Sequence, residues 1–323
     1  MFTNFANIII GVSVSLCVGS LTSCAKKEHS APINSTFPEP VYRFDANIDI
    51  EKAAALGKLL FFDRRLSVNG TISCADCHNP AFAFSDAGNK TSKGIHGRRG
   101  SRNVPALINL AWQQSFMWDG GINHIEWVPI ASLTDSTEMG ADLSDLLTWL
   151  AQDSVYTRQF ATVFHSNIIN TKQVLLAFTA FLTQQVSKET RYDKIQAQRE
   201  NFTEIEKKGY DIFLLKCNTC HTAPLFSTNK FVSNGVIPME GEEGRKRISQ
   251  SDDDFGRFKV PTLRKVRLTF PYMHDGRFES LEQVLQHYTE VTPQLLGADS
   301  VLYNSKLLKA EVPYVLAFLA TLD

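Results

Sequence analysis

The chain has 323 residues, 43% of them hydrophobic, with 33 Lys and Arg against 34 Asp and Glu. That length suggests about two domains with ample core material. The net charge of −1 argues against a disordered polyelectrolyte and gives no case for nucleic acid as a partner.

At the N-terminus, residues 8–18 form an apolar run too short to span a bilayer and of the length of a signal-peptide core. Leu21-Thr22-Ser23-Cys24 resembles a bacterial lipobox, so residues 1–23 read as a lipoprotein signal peptide and Cys24 as the lipidated start of the mature chain. Residues 1–7 hold no Lys or Arg, a weak n-region that keeps an uncleaved anchor or a different start as the alternative. Residues 24–45, rich in Lys, Ser, Asn and Pro, read as a tether. Several acyl chains on Cys24 would hold the protein stably at a membrane.

Residues 50–62 place Ala53, Leu56, Leu59 and Leu60 on one helical stripe that leads to Cys74-Ala75-Asp76-Cys77-His78. The pattern then returns. Thr203 and Glu206 have capping-box spacing, Tyr210, Phe213 and Leu214 continue a helix, and Cys217-Asn218-Thr219-Cys220-His221 follows. Each helix carries a glycine, Gly57 or Gly209, followed by aromatic residues. Cys-x-x-Cys-His is the attachment signature of c-type haem: two thiols add to the vinyl groups of one porphyrin, and the adjacent histidine ligates iron. A single Cys-x-x-Cys also fits half a zinc site or a redox dithiol. Two, each with its histidine and in an exported chain, identify a di-haem protein. Cys74, Cys77, Cys217 and Cys220 are then the attachment points, and His78 and His221 the proximal iron ligands. Cys17 leaves with the signal, so no cysteine remains for a disulfide. Such haem is attached outside the bacterial inner membrane, which predicts a periplasmic, lipid-anchored protein.

Further helices are expected at 143–150, 155–164, 171–186, 281–288 and 312–322. The last resembles the terminal helix that packs across the first one in cytochrome c folds. Strand signals are sparse, and the Gly- and Pro-containing stretches 85–105 and 232–271 read as haem-wrapping loops. The expected fold is mainly α: two cytochrome c-like haem domains with long haem-wrapping loops, spanning 46–195 and 196–323. The polar residues 188–199 suit a connecting segment.

Several further stretches resemble the bacterial di-haem cytochrome c peroxidase family, which includes a MauG-like, tyrosine-ligated branch. They are Leu59-Leu60-Phe61-Phe62-Asp63, Ile72-Ser73-Cys74, Arg102-Asn103-Val104-Pro105, Trp118-Asp119-Gly120 and Thr137-Glu138-Met139. Phe258-Lys259-Val260-Pro261-Thr262-Leu263-Arg264 and Pro271-Tyr272-Met273-His274-Asp275-Gly276 complete the set, in the family's order. The resemblance implies a cytochrome-c peroxidase that reduces hydrogen peroxide to water with electrons from a small c-type cytochrome or similar carrier. The N-terminal haem would be peroxidatic and the C-terminal haem would receive the electrons.

By the same resemblance Glu138 takes the place of the distal acid–base glutamate, and Trp118 that of the tryptophan between the haems. Asn103, Thr269 and Pro271 match a calcium site, a cation that accepts carbonyl oxygens and waters. His96 lies, with one residue of offset, near a distal histidine that some members use to block the peroxidatic iron; an exposed loop histidine is the alternative. Tyr288, seventeen residues after Pro271, matches the distal ligand of the second haem in the tyrosine-ligated branch, with the soft sulfur of Met273 as the alternative. The chain departs from the family at Val128, where glutamine is common, and at Ser132, where proline is common. Distal polar assistance would then come mainly from Glu138 and water. Two other functions stay open: an oxidase that modifies a protein side chain, and an electron-transfer cytochrome without turnover. Family members are often homodimers, and no interface is legible in the sequence.

Overall fold

The computed structural model describes residues 37–290, 299, 302 and 305–323. The signal-peptide and lipidation readings, Cys24 included, lie outside these residues. In chain order the helices are α1 (Ile50–Phe62), α2 (Cys74–Cys77), α3 (Val128–Thr134), α4 (Leu143–Gln152), α5 (Ser154–Phe164), α6 (Thr171–Thr183), α7 (Arg191–Gln196), α8 (Glu204–Lys216), α9 (Lys246–Ser249), α10 (Leu281–Glu290) and α11 (Val312–Leu319). Among the described residues the only strands are the two-residue β1 (Phe231–Val232) and β2 (Phe258–Lys259), paired antiparallel. No helix in this set is long and apolar enough to cross a membrane. The protein is mainly α, as its sequence predicts.

Two helix crossings organise the chain. The Asp49 side chain caps α1 by accepting from the Lys52 N–H, and the helix buries Ala53, Leu56, Gly57, Leu60 and Phe61. A methyl at Gly57 would sit 1.9 Å from the backbone oxygen of Ala177 and 2.9 Å from Cβ of Phe181, both on α6. In the second half, Thr203 and Glu206 form the capping box of α8. A methyl at Gly209 would sit 1.9 Å from the Tyr314 oxygen and 3.0 Å from Cβ of Phe318, both on α11. Only hydrogen fits at either contact, so glycine sets the distance between the helices. The terminal helix therefore crosses the first helix of its own half, and α6 does the same for the N-terminal half.

Each crossing anchors its own apolar cluster. One gathers Leu56, Leu60, Phe61, Leu133, Leu150, Phe160 and Phe178. The other gathers Tyr192, Phe213, Phe226, Leu285, Val315, Phe318 and Leu322. Phe318 is fully buried, its ring centroid 4.8 Å from that of Phe213 and 5.2 Å from that of Tyr210.

Two expectations need correction. The stretch 188–199 is not merely a polar connector: it holds α7, whose Tyr192 and Asp193 are buried with the second cluster. The reason is charge pairing. The Asp193 carboxylate accepts from Arg264 at 2.7 and 2.8 Å, and both side chains are fully buried. The tether reading also fails for its C-terminal part. Phe37 is buried, packs edge-on to Trp112 at 5.5 Å and lies 4.8 Å from the Arg264 guanidinium. The Trp112 indole N–H also donates to the Pro38 carbonyl at 2.7 Å. Aromatic surface here outweighs the polar composition.

Burial alone would raise the Asp193 pKa, but the hydrogen bonds and positive charge of Arg264, together with the hydrogen bonds from Thr190, outweigh it and hold the carboxyl below its ordinary range. A depressed folded-state pKa contributes stability above the unfolded value of about 3.9, and that stability is lost as pH falls through the folded value. Asp193→Asn should cost about 3–5 kcal/mol by leaving Arg264 buried without its counter-charge, read as a lowered guanidinium midpoint of the holo protein. Gly209→Ala should cost about 3 kcal/mol in the same assay.

Candidate haem and peroxide site

Both Cys-x-x-Cys-His motifs face one continuous cavity of about 780 Å³. In the first, Ser73 and Asp76 form a capping box that winds Cys74–Cys77 into the short α2, and Arg64 pairs with Asp76 at 2.6 Å. His78 Nδ1 lies 2.7 Å from the Phe84 carbonyl oxygen, and His221 Nδ1 lies 3.2 Å from that of Phe226. Each carbonyl occupies Nδ1 and leaves Nε2 for a ligand. Burial pushes both imidazoles down to about 4, so the rings are neutral, the form that binds iron.

The cysteines separate the competing readings. Burial pushes Cys74 and Cys217 up to about 12 and Cys77 up to about 11. A redox dithiol or zinc thiolate calls for the opposite shift. All four described cysteines are free, and no group of three or more Cys, His, Asp or Glu among the described residues could hold a metal ion. Neutral thiols beside a mostly apolar cavity, each pair with an adjacent imidazole, fit two thioether-linked haems.

Glu138 lines the cavity with Cys74, Val128 and Ser132. Its N–H donates to the Asp135 carbonyl at 3.0 Å, and its own carbonyl accepts from the Ile95 N–H at 2.9 Å. Burial raises its pKa, the Ser132 hydroxyl opposes by hydrogen bonding the carboxylate, and Asp135 adds to the rise. At the position where the family commonly has proline, this chain thus places a polar partner for Glu138. Val128 adds only apolar wall. His96 is exposed, in a left-handed turn with φ 55°, and does not line the cavity, whereas Gly94 and Ser92 of the same loop do.

Trp118 stands at the junction of the two halves. Its indole N–H donates to the Asn103 carbonyl at 2.8 Å, and its ring meets Phe258 edge-on at 6.5 Å. Its own carbonyl accepts from the Lys259 N–H at 2.7 Å, which ties it to β2. The next residue, Asp119, is 1% exposed and pairs with Arg102 at 2.7 Å and Arg247 at 3.1 Å, and Arg102 pairs in turn with Glu242 at 2.7 Å. Asn103, Thr269 and Pro271 line the same cavity. The Asn103 amide nitrogen donates to the Asn89 and Lys90 carbonyls at 3.2 and 3.1 Å.

On the far side, Tyr288 and Met273 converge on a residue the sequence did not flag. Asn234 donates from Nδ2 to Met273 Sδ at 3.2 Å and to Tyr288 Oη at 3.5 Å. Burial pushes the Tyr288 phenol up to about 12. His274 is likewise new: it stacks on Phe258 at 3.8 Å, lines the cavity and leaves a buried Nε2 without a partner. His274 had no sequence signal beyond lying in a matching stretch, and Asn234 none beyond lying in the loop 232–271.

Known proteins resemble this chain in sequence and fold. A family model described as di-haem cytochrome c peroxidase matches residues 51–201. The methylamine utilization protein MauG of Methylorubrum extorquens is 33% identical over 286 residues, covering 85% of this chain and 80% of that one. Cytochrome c551 peroxidase of Nitrosomonas europaea is 30% identical over 320 residues, covering 97% and 90%. A crystal structure of a MauG-like protein associated with microbial copper homeostasis superposes with a TM-score of 0.82 at 28% identity, covering 91% and 95%. With both motifs at one cavity and relatives matched across nearly the whole chain, this protein belongs to the di-haem cytochrome c peroxidase family.

Proposed function

We propose that the protein is a periplasmic di-haem peroxidase that reduces hydrogen peroxide to two waters with two electrons from a small c-type cytochrome or similar carrier. The carrying observation is Glu138: a half-buried carboxyl with a raised pKa on the wall of the cavity that Cys74, Cys77 and His78 also line. When bound, haem iron supplies the coordination position and the electrons for breaking the O–O bond. Glu138 takes a proton from one peroxide oxygen and returns it to the other, so the departing oxygen leaves as water. Ser132 orients the carboxylate, and Val128, one turn earlier on α3, adds apolar wall. Trp118, fixed at both its indole nitrogen and its carbonyl, is the aromatic bridge between the halves. The N-terminal half would hold the peroxidatic site and the C-terminal half the electron entry. Asn103 Oδ1 with the Thr269 and Pro271 carbonyls would hold calcium. Cys24 would carry the lipid anchor, and homodimerisation is carried over from the family alone. With His96 outside the cavity, the site would be open to peroxide without prior reduction.

Stopped-flow mixing of the pre-reduced holo protein with peroxide tests the assignment. Glu138→Gln should slow the reaction by at least about 100-fold, the usual scale of general acid–base help. Equal rates would remove Glu138 from the mechanism. Burial raises the Glu138 pKa, so the proton-accepting form disappears above the ordinary glutamate value of about 4.3 as pH falls. The acid limb of kcat/KM should lie above that value and be absent in the glutamine variant.

The Tyr288 position supports a second reading, in which oxidising power is directed at a protein side chain as in the tyrosine-ligated branch. Electron paramagnetic resonance of the ferric holo protein decides the ligand. Tyr288→Phe should change the signal of one haem and Met273→Leu should leave both intact; the reverse pattern assigns Met273.

A further inference from the structure

The charged side chains that line the cavity are nearly all matched. Arg102 pairs with Asp119 and Glu242, Arg247 with Asp119, Arg264 with Asp193 and Lys216 with Glu311. Lys259 differs. Its ammonium donates to two neutral acceptors, Gln113 Oε1 at 2.5 Å and the Ser115 carbonyl at 3.0 Å, and among the described residues no carboxylate pairs with it. The nearest ring is Phe116, 5.9 Å away. Lys259 lines the cavity from β2, next to the backbone bond that ties it to Trp118. Burial lowers its pKa to about 8, with no compensating acid. A half-buried ammonium that faces the cavity without an anion is poorly compensated, and a carboxylate brought to it would relieve that cost.

We propose that Lys259 is the counter-charge of a haem propionate at the junction between the two halves, and that it raises the reduction potential of the haem that owns this propionate. The inference rests on the two-haem reading. Haem brings carboxylates into an otherwise apolar pocket, and the protein must match them with cations. Three donor hydrogens serve Gln113, Ser115 and one further acceptor, so the ammonium has a hydrogen left for a propionate oxygen. Its positive charge favours the electron added on reduction, which a neutral residue at the same place would not do. Removing it therefore stabilises the oxidised form.

Spectroelectrochemical titration of the fully matured holo protein tests this, with a pyridine haemochrome count on every sample. Lys259→Met and Lys259→Gln should each lower the reduction equilibrium constant of one haem by at least about tenfold, which is about 59 mV for a one-electron couple. Lys259→Arg, which keeps the charge, should stay within about threefold of the wild type, on the same conversion. The propionate-bending band in resonance Raman spectra should shift in the two neutral variants and not in the arginine variant. The proposal is overturned if both potentials stay put in the neutral variants at two haems per chain. It is equally overturned if arginine shifts them as far as methionine does, since packing would then be the cause. A count below two in the wild type would instead sink the two-haem reading itself.

Discussion

Everything at the cavity depends on two places where a helix backbone touches another helix with nothing larger than hydrogen between them. Gly57 against the Ala177 oxygen and Gly209 against the Tyr314 oxygen fix how closely α1 approaches α6 and α8 approaches α11. The Cys-x-x-Cys-His motif follows α1 by a loop and α8 directly, so the crossings decide where the thiols and imidazoles stand. Phe61 and Phe181 in one half, and Phe213 and Phe318 in the other, close the space behind the crossing with ring contacts of 5.1 and 4.8 Å. The aromatic residues that follow each glycine in the sequence are therefore part of the same device.

Electrostatics joins what packing builds separately. Arg102 and Asp119 come from the first half, Glu242 and Arg247 from the start and the helix α9 of a segment of the second, and their alternating charges hold the Trp118 turn against that segment. Arg264 and Asp193 do comparable work deeper inside: Arg264 Nε also donates to the Pro224 carbonyl at 2.6 Å, a few residues after His221. An ion pair this buried is a weak source of net stability, but losing one partner is severe. Its value is positional, holding the segment between His221 and Phe226.

The sequence made the repeated parts legible. The bounds of α1 read directly from the apolar stripe between Asp49 and Asp63, and the start of α8 from its capping box. The haem motifs were legible because covalent attachment demands a fixed spacing. What stayed hidden was pairing at a distance. Nothing in a single sequence says that α6 is the partner of α1, that Asp193 meets Arg264 across 71 residues, or that Asn234 would stand between Met273 and Tyr288. The polar stretch around α7 misled because its buried carboxylate finds a partner outside the local window. His96 shows the reverse: its place in the chain fits a distal ligand, while its backbone turns the ring outward.

Both haem motifs open on one cavity, and Trp118, Phe258 and Lys259 are among the residues of its wall. A group seated at one end dries that wall for its neighbour, and a chain loaded at one end only would leave the wall wetted from the other. Maturation at the two motifs would then be linked through exclusion of water from the cavity they share.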